Sequence, residues 1–287
     1  MSIILSNKNA LPPAQPGLYQ FDLTDNDGKS RVHLRLDEDG SGLLVVNASR
    51  VVHLNPTAVQ MAYFHLSKAA EKDAVRALGK LYKAPKSQIS TDYARISAQV
   101  DALVDEQSGL CPVCDLGLDK HMPFSATLSA PYRMDLALTY RCNNSCAHCY
   151  NARPRNYPEL DTNAWKEILD RVWELRIPHV VFTGGEPTLR ADLVELVAYA
   201  QDLGLVTGLN TNARCLADDA LMRSMVKAGL DHVQITVESH NPAVHNHMVR
   251  AAGAWDETVA GLRNAVGSGI YLMTNTTLLR DNAEDLE

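Results

Sequence analysis

Three thiols, Cys142, Cys146 and Cys149, fall within eight residues, directly after the apolar run from Met134 to Tyr140. Three closely spaced thiolates on one loop can grip three irons of a cubane cluster and leave the fourth iron without a protein ligand. An open coordination position is where a metal does chemistry, whereas a closed site is usually structural. Zinc is the alternative use of such thiols, but zinc wants a fourth ligand. His148 lies between two of the cysteines and is poorly placed to close a tetrahedron. Three unrelated thiols are the remaining reading.

Other polar groups follow at intervals. In Thr183-Gly184-Gly185-Glu186-Pro187 the paired glycines let a backbone approach a ligand closely, and Glu186 can accept a hydrogen bond from an ammonium. A plain strand-to-helix turn is the other use of that stretch. Asn210-Thr211-Asn212 offers side-chain amides that could satisfy hydroxyl groups or only cap a turn. Thr236-Val237-Glu238-Ser239 and Arg250 complete the set. His232, His240, His245 and His247 read as solvated loop residues, and Cys215 as a loop thiol.

Positioning these groups requires a scaffold, and 287 residues are enough for two domains, each with its own core. A hydrophobic share of 46% and a charged share of 21% are globular values, which argues against disorder. The net charge of −7 provides no overall basic footprint for nucleic acid. Residues 1–10 do not have the pattern of a signal peptide, and no run approaches the roughly 20 apolar residues of a membrane span. Six cysteines in two tight clusters plus one single read as metal ligands in a reducing cytosol, so a soluble cytoplasmic protein is expected.

Residues 1–16, with Pro12, Pro13 and Pro16, form a flexible arm. Residues 17–105 make a small α+β unit. Tyr19–Leu23 and Val32–Leu36 alternate with period two about the turn signal Asn26-Asp27-Gly28, and strands at Leu43–Val46 and Ser49–Leu54 follow. Asn55 caps a helix with Pro56 at its first position; two more helices span about 71–82 and 89–104. This order is of winged-helix type. Residues 106–131 form a linker in which Cys111-Pro112-Val113-Cys114 presents two thiolates, half a metal site, with Cys215 or His121 as candidate partners. An unligated reduced pair is the alternative.

Residues 132–287 repeat a strand–helix grammar. Strands read at 134–139, 179–182, 205–210, 232–237 and 270–275. The intervening helices carry Trp165, Leu169 and Val172; then Leu193, Leu196, Val197 and Ala200; then a segment from Asp218 to a glycine cap at Gly229; then Trp255, Val259, Leu262 and Val266. Alternating β and α segments demand a parallel sheet, with sites at the carboxyl ends of its strands. Only ten residues follow the fifth strand after Thr277, so its edge is expected to be uncovered and the chain to be truncated.

The C-x3-C-x2-C spacing together with the Gly184-Gly185-Glu186-Pro187 stretch resembles the radical S-adenosylmethionine (SAM) superfamily over about residues 132–287. The resemblance implies a partial (β/α)6-type barrel, here stopping after the fifth strand. It implies a [4Fe-4S] cluster on Cys142, Cys146 and Cys149, with SAM on the unique iron. It further implies SAM contacts from Gly184, Gly185, Glu186, Asn210, Asn212, Thr236 and Arg250, with His148 against the adenine. Relatives often read Ser-Leu-Asp-Gly where this chain has Thr236-Val237-Glu238-Ser239, so Thr keeps the hydroxyl and Glu lengthens the acid. Val51-Val52-His53-Leu54-Asn55-Pro56-Thr57-Ala58 resembles the peptide-binding domain of enzymes that modify ribosomally made peptides (RiPPs), the RiPP recognition element. There a leader peptide adds as a strand to a sheet edge. The implied activity is reductive cleavage of SAM to a 5′-deoxyadenosyl radical that modifies a precursor peptide, with a flavodoxin or ferredoxin as electron donor. Auxiliary iron–sulfur clusters in similar enzymes make a second cluster, or zinc, the expected occupant of Cys111 and Cys114. Two rivals stand: a radical SAM enzyme of cofactor or protein maturation with a non-peptide substrate, and a non-catalytic leader-binding protein with a vestigial cluster.

Overall fold

The computed structural model describes residues 11–25, 28–47, 50–105, 129–151 and 156–285. The chain divides into two compact units, Met1–Ser129 and Ala130–Glu287.

In the first unit an antiparallel meander of β1 (Gly17–Asp25), β2 (Gly28–Leu36), β3 (Gly42–Val46) and β4 (Arg50–Leu54) precedes α1 (Pro56–Leu66), α2 (Glu71–Leu81) and α3 (Lys86–Val104). Alternation sorts the side chains of β2 by face: Val32, Leu34 and Leu36 join Leu44, Val59, Ala62 and Val100 in one core, while Arg31, His33 and Arg35 between them are buried as well. A second cluster, with Met61, Phe64, Leu78, Ile89 and Tyr93, ties the three helices together. The Asn55 side chain accepts from the Ala58 amide at 2.9 Å, and Pro56 has no N–H that needs an acceptor, so α1 starts where those two residues dictate. Helix α3 begins three residues before Ile89.

The second unit is a five-stranded, all-parallel sheet in sequential order: β5 (Arg133–Thr139), β6 (His179–Gly184), β7 (Val206–Thr211), β8 (His232–Thr236) and β9 (Tyr271–Asn275). Helices α4 (Thr162–Glu174), α5 (Leu193–Leu203), α6 (Asp219–Lys227), α7 (Pro242–Val249) and α8 (Ala254–Gly267) connect the strands. Asp161 caps α4 by accepting from Ala164 N at 2.9 Å, and Asp218 caps α6 by accepting from Ala220 N at 2.9 Å. Gly229 ends α6 with φ +101°, a conformation that favours glycine.

Two expectations are corrected. Helix α7 was not anticipated, although Asn241-Pro242 opens it as Asn55-Pro56 opens α1. Helix α8 buries Ala254, Thr258, Gly261 and Ala265 rather than the larger residues, and Val266 is 62% exposed. A Cβ on Gly261 would lie 2.2 Å from the Ala213 carbonyl oxygen, so only a face of small residues lets α8 come this close. The last strand pairs with β8 alone among the described residues, and Tyr271 and Met273 are 62% and 38% exposed.

Candidate active site at the strand carboxyl ends

The loop after β5 carries Cys142, Cys146 and Cys149, and neighbouring strand ends and α7 hold its backbone. From β6, Gly185 N donates to Thr139 O and Glu186 N to Arg141 O, both at 2.7 Å. From the end of α7, the Met248 and Val249 carbonyls accept from Ala147 N (3.0 Å) and Ser145 N (2.9 Å). From beyond β7, Arg214 Nη1 donates to Asn143 O (2.5 Å) and Asn144 Oδ1 (2.9 Å), while its Nε pairs with Glu257 at 2.5 Å. Asn212 Nδ2 reaches Asn143 Oδ1 at 2.6 Å and the Cys142 sulfur at 3.9 Å.

The paired glycines serve this packing. A Cβ on Gly184 would lie 2.2 Å from Thr139 O, and one on Gly185 would lie 2.3 Å from Arg141 O. The collisions are with the chain itself, so the motif seats β6 against the base of the cysteine loop. Gly184 also has φ +128°, which other residues rarely adopt.

Glu186 is fully buried and its carboxylate is engaged within the protein. Thr188 N (3.1 Å), Thr188 Oγ1 (2.5 Å) and Thr211 Oγ1 (2.7 Å) donate to one oxygen, and Asn212 N (2.8 Å) donates to the other. Burial pushes this carboxyl upward, and the four donors oppose it. Four bonds make Glu186 a brace between the β6 and β7 ends.

His148 is bonded through Nε2 to Glu238 Oε1 at 2.8 Å. Glu238 is buried, accepts from Thr277 N at 3.0 Å, donates its own amide to His245 Nδ1 at 3.2 Å, and offers its carbonyl to Asn282 Nδ2 at 2.7 Å. It therefore joins the β8 end, the cysteine loop, α7 and the segment after β9. Burial, reinforced by Arg214, lowers the His245 pKa. His245 and His232 are not solvated loop residues: the first is buried in α7, the second begins β8 with its Nε2 2.8 Å from that of His179. Burial first, and Arg133 second, lower the His232 pKa to about 4.

Of the remaining expected site residues, Asn210 lies half-buried in β7 and Thr236 half-buried at the end of β8. Arg250 is exposed, in the left-handed cap position of α7 (φ 51°). Cys215 lies against the same loop, its sulfur 4.0 Å from Asn143 Nδ2. Cys111, Cys114 and His121 lie outside the described residues. Sequence reasoning missed Arg214, the α7 carbonyls and the Glu159 cluster. In that cluster Glu159 takes Thr139 Oγ1, Arg141 Nε (2.9 Å) and Arg190 Nη1 (3.2 Å). The hydrogen bond from Arg141 leads the causes that hold the Glu159 carboxyl below its usual range.

The donor set fits an iron–sulfur cluster. Burial, then the neighbouring Cys142, Cys149 and Glu238, push the Cys146 thiol up to about 11. A polycation would relieve that crowding of negative charge by taking the thiols as thiolates. His148 already spends one ring nitrogen on Glu238, so it is not free to close a zinc tetrahedron through that atom.

A five-stranded parallel sheet with a three-thiol loop at its carboxyl end defines a class of cluster-binding α/β protein. The radical SAM superfamily profile matches residues 136–287, and the chain belongs to that superfamily. It is 36% identical over 156 residues to the PqqA peptide cyclase of Gluconobacter oxydans (54% of this chain, 43% of that protein). It is 34% identical over 161 residues to the PqqA peptide cyclase of Xanthomonas campestris pv. campestris (55% and 43%). The aligned stretch covers less than half the length of these relatives. Among solved structures, Streptococcus suis SuiB bound to S-adenosylmethionine superposes with TM-score 0.61 at 15% identity, over 89% of this chain and 57% of that one. SuiB bound to its precursor peptide SuiA gives 0.57 at 14% identity, over 88% and 57%. At these identities the likeness is one of fold.

Proposed function

We propose that the protein is a radical SAM enzyme that modifies a ribosomally made precursor peptide. The observation that carries this reading is the cysteine loop itself, with three thiols outside any disulfide while strand ends and α7 bond the backbone between them. A [4Fe-4S] cluster and SAM, when bound, would supply one-electron reductive cleavage of the sulfonium and hydrogen abstraction from the substrate. Cys142, Cys146 and Cys149 would hold the cluster. Gly184, Gly185, Asn210, Asn212, Thr236 and Arg250 would contact SAM from the strand ends and α7, with Glu186 bracing Thr211 and Asn212 behind them. Glu238 would orient His148 beside the adenine.

Peptide as substrate is supported by relatives named PqqA peptide cyclase and by the fold shared with SuiB, whose crystal structures include one with precursor peptide. In this reading the first unit acts as a winged-helix-like recognition domain, and the β4 edge takes the leader as an added strand. Holding the leader raises the effective concentration of the core peptide. A flavodoxin or ferredoxin would deliver the electron in the cytoplasm; no helix among the described residues is long and apolar enough to cross a membrane. The exposed β9 flank would accept a further strand–helix unit. Cys111 and Cys114 are proposed ligands of an auxiliary cluster or zinc.

The test is anaerobic reconstitution with iron and sulfide, then an assay for 5′-deoxyadenosine with dithionite and SAM. Wild type should form it and Cys146→Ala should not; equal yields would refute the assignment. Incubating the reconstituted enzyme with the short peptide encoded beside its gene should change that peptide's mass. An unchanged mass alongside 5′-deoxyadenosine formation would favour a non-peptide substrate.

A further inference from the structure

We propose that the cleft between α2 and the start of α3 is a docking site for an acidic peptide segment bearing an apolar anchor residue. This deepens the peptide-substrate reading and rests on it. The cavity measures about 340 Å³, with Lys72, Arg76, Lys80 and Lys86 around a floor that includes Val75, Gly79 and Ile89. That volume lies at the small end of the range for ligand sites.

Three observations converge on it. Residues 72–86 hold five Lys or Arg against the single acid Asp73, in a chain whose net charge is −7. Arg76 pairs with Asp73 at 3.0 Å, whereas among the described residues Lys72, Lys80 and Lys86 have no ion pair. Helix α3 opens beside them at Lys86 with no side-chain cap and no acid in its own first turn, so its amino end adds to the positive field; the one carboxylate set against it is that of Glu71, which accepts from Ser90 Oγ at 3.0 Å. The third is Gly79, in the interior of α2. Glycine there weakens a helix relative to alanine, yet an added Cβ would meet only Ile89 Cδ1, at an ordinary 3.8 Å. Packing does not require the glycine. Its effect is to keep the floor open.

A cationic rim over an apolar floor matches a Leu or Ile side chain set between carboxylates, with the lysine stems lying along the apolar part. Nucleic acid fits less well, because no aromatic ring lines the cavity to stack a base.

The test uses the full chain and fluorescence anisotropy. One probe is a fluorescein-labelled heptapeptide of Asp, Glu and Leu; the other has Asn and Gln in place of the acids. The acidic probe should bind at least about tenfold more tightly than the amide probe, and lose that margin at high salt. Lys80→Glu with Lys86→Glu should weaken it by about tenfold or more, and so should Gly79→Leu, which fills the floor. Gly79→Ala should raise the thermal midpoint, which confirms that the position tolerates a side chain. Equal binding of both probes, indifference to all these variants, or duplex DNA binding as tightly at the same residues would overturn the proposal. The peptide-substrate reading fails separately, through an unchanged precursor mass with wild-type enzyme. If the precursor is modified and Gly79→Leu with the two lysine reversals leaves its turnover unchanged, only the docking site falls.

Discussion

The two units bury different things. In the first, the cores are apolar clusters shared by one sheet face and three helices, and its densest positive charge lies at an exposed helix junction. In the second, an apolar core of similar character underlies a buried polar layer at the strand ends: Asn144, Glu186, Thr211, Glu238, Ser239, His245 and Asn282. Burying polar groups is tolerated only where each finds a partner. Such a layer therefore records a structural demand, here the rigid presentation of one loop. The comparison teaches that the second unit gathers its buried polar groups around the thiols, whereas the first buries Arg31, His33 and Arg35 along one strand and leaves Lys72, Lys80 and Lys86 exposed.

The strongest way to break this contrast is Gly185→Ala. Its Cβ would meet backbone oxygens of Arg141 and Tyr140 at 2.3 and 2.7 Å, which cannot move aside cheaply. A loss of about 3 kcal/mol in urea unfolding is expected, with poor iron incorporation. Arg214→Ala comes next. It strips donors from Asn143 O and the buried Asn144 amide, at about 2 kcal/mol, and should lower the iron retained on gel filtration with little change in far-UV circular dichroism.

The pH dependence should follow the buried His232. His232 is held neutral with its pKa lowered from 6.5 to about 4, so the unfolded chain binds more protons between those values. Stability is therefore lost as pH falls through that window, by about 2 kcal/mol from pH 7 to pH 5. Urea midpoints at the two pH values would measure it, and a flat profile would show that burying His232 carries no such penalty. The smallest effect belongs to the first unit: Asn55→Ala removes one cap from α1 and should cost about 1 kcal/mol in the same assay. It should leave 5′-deoxyadenosine formation intact. A comparable loss of cluster from Asn55→Ala would erase the distinction between the units.

Much of the fold was legible in residue order. Period-two runs, the Asn-Pro and Asp caps and the glycine stop at Gly229 act within a few residues, so their meaning does not depend on distant chain. The same holds for the spacing of Cys142, Cys146 and Cys149, which directed attention to the loop. Helix α8 shows the limit: Trp255, Val259, Leu262 and Val266 share a face, but the close approach to Ala213 selects the small residues instead. Hydrophobic periodicity has no term for how near a neighbour lies.

The site divides in the same way. Residue types and spacing alone marked the thiols, the paired glycines and the acids at 186 and 238 as the groups to watch. Only the tertiary structure decided what each one touches: Glu186 braces Thr211 and Asn212 about 25 residues away, Glu238 grips His148 across 90, and Arg214 clamps a loop 70 residues before it. These pairings form because parallel strands bring their carboxyl ends together at one edge of the sheet. Contacts made by that convergence connect positions with no fixed separation along the chain, and a linear reading has no period by which to find them.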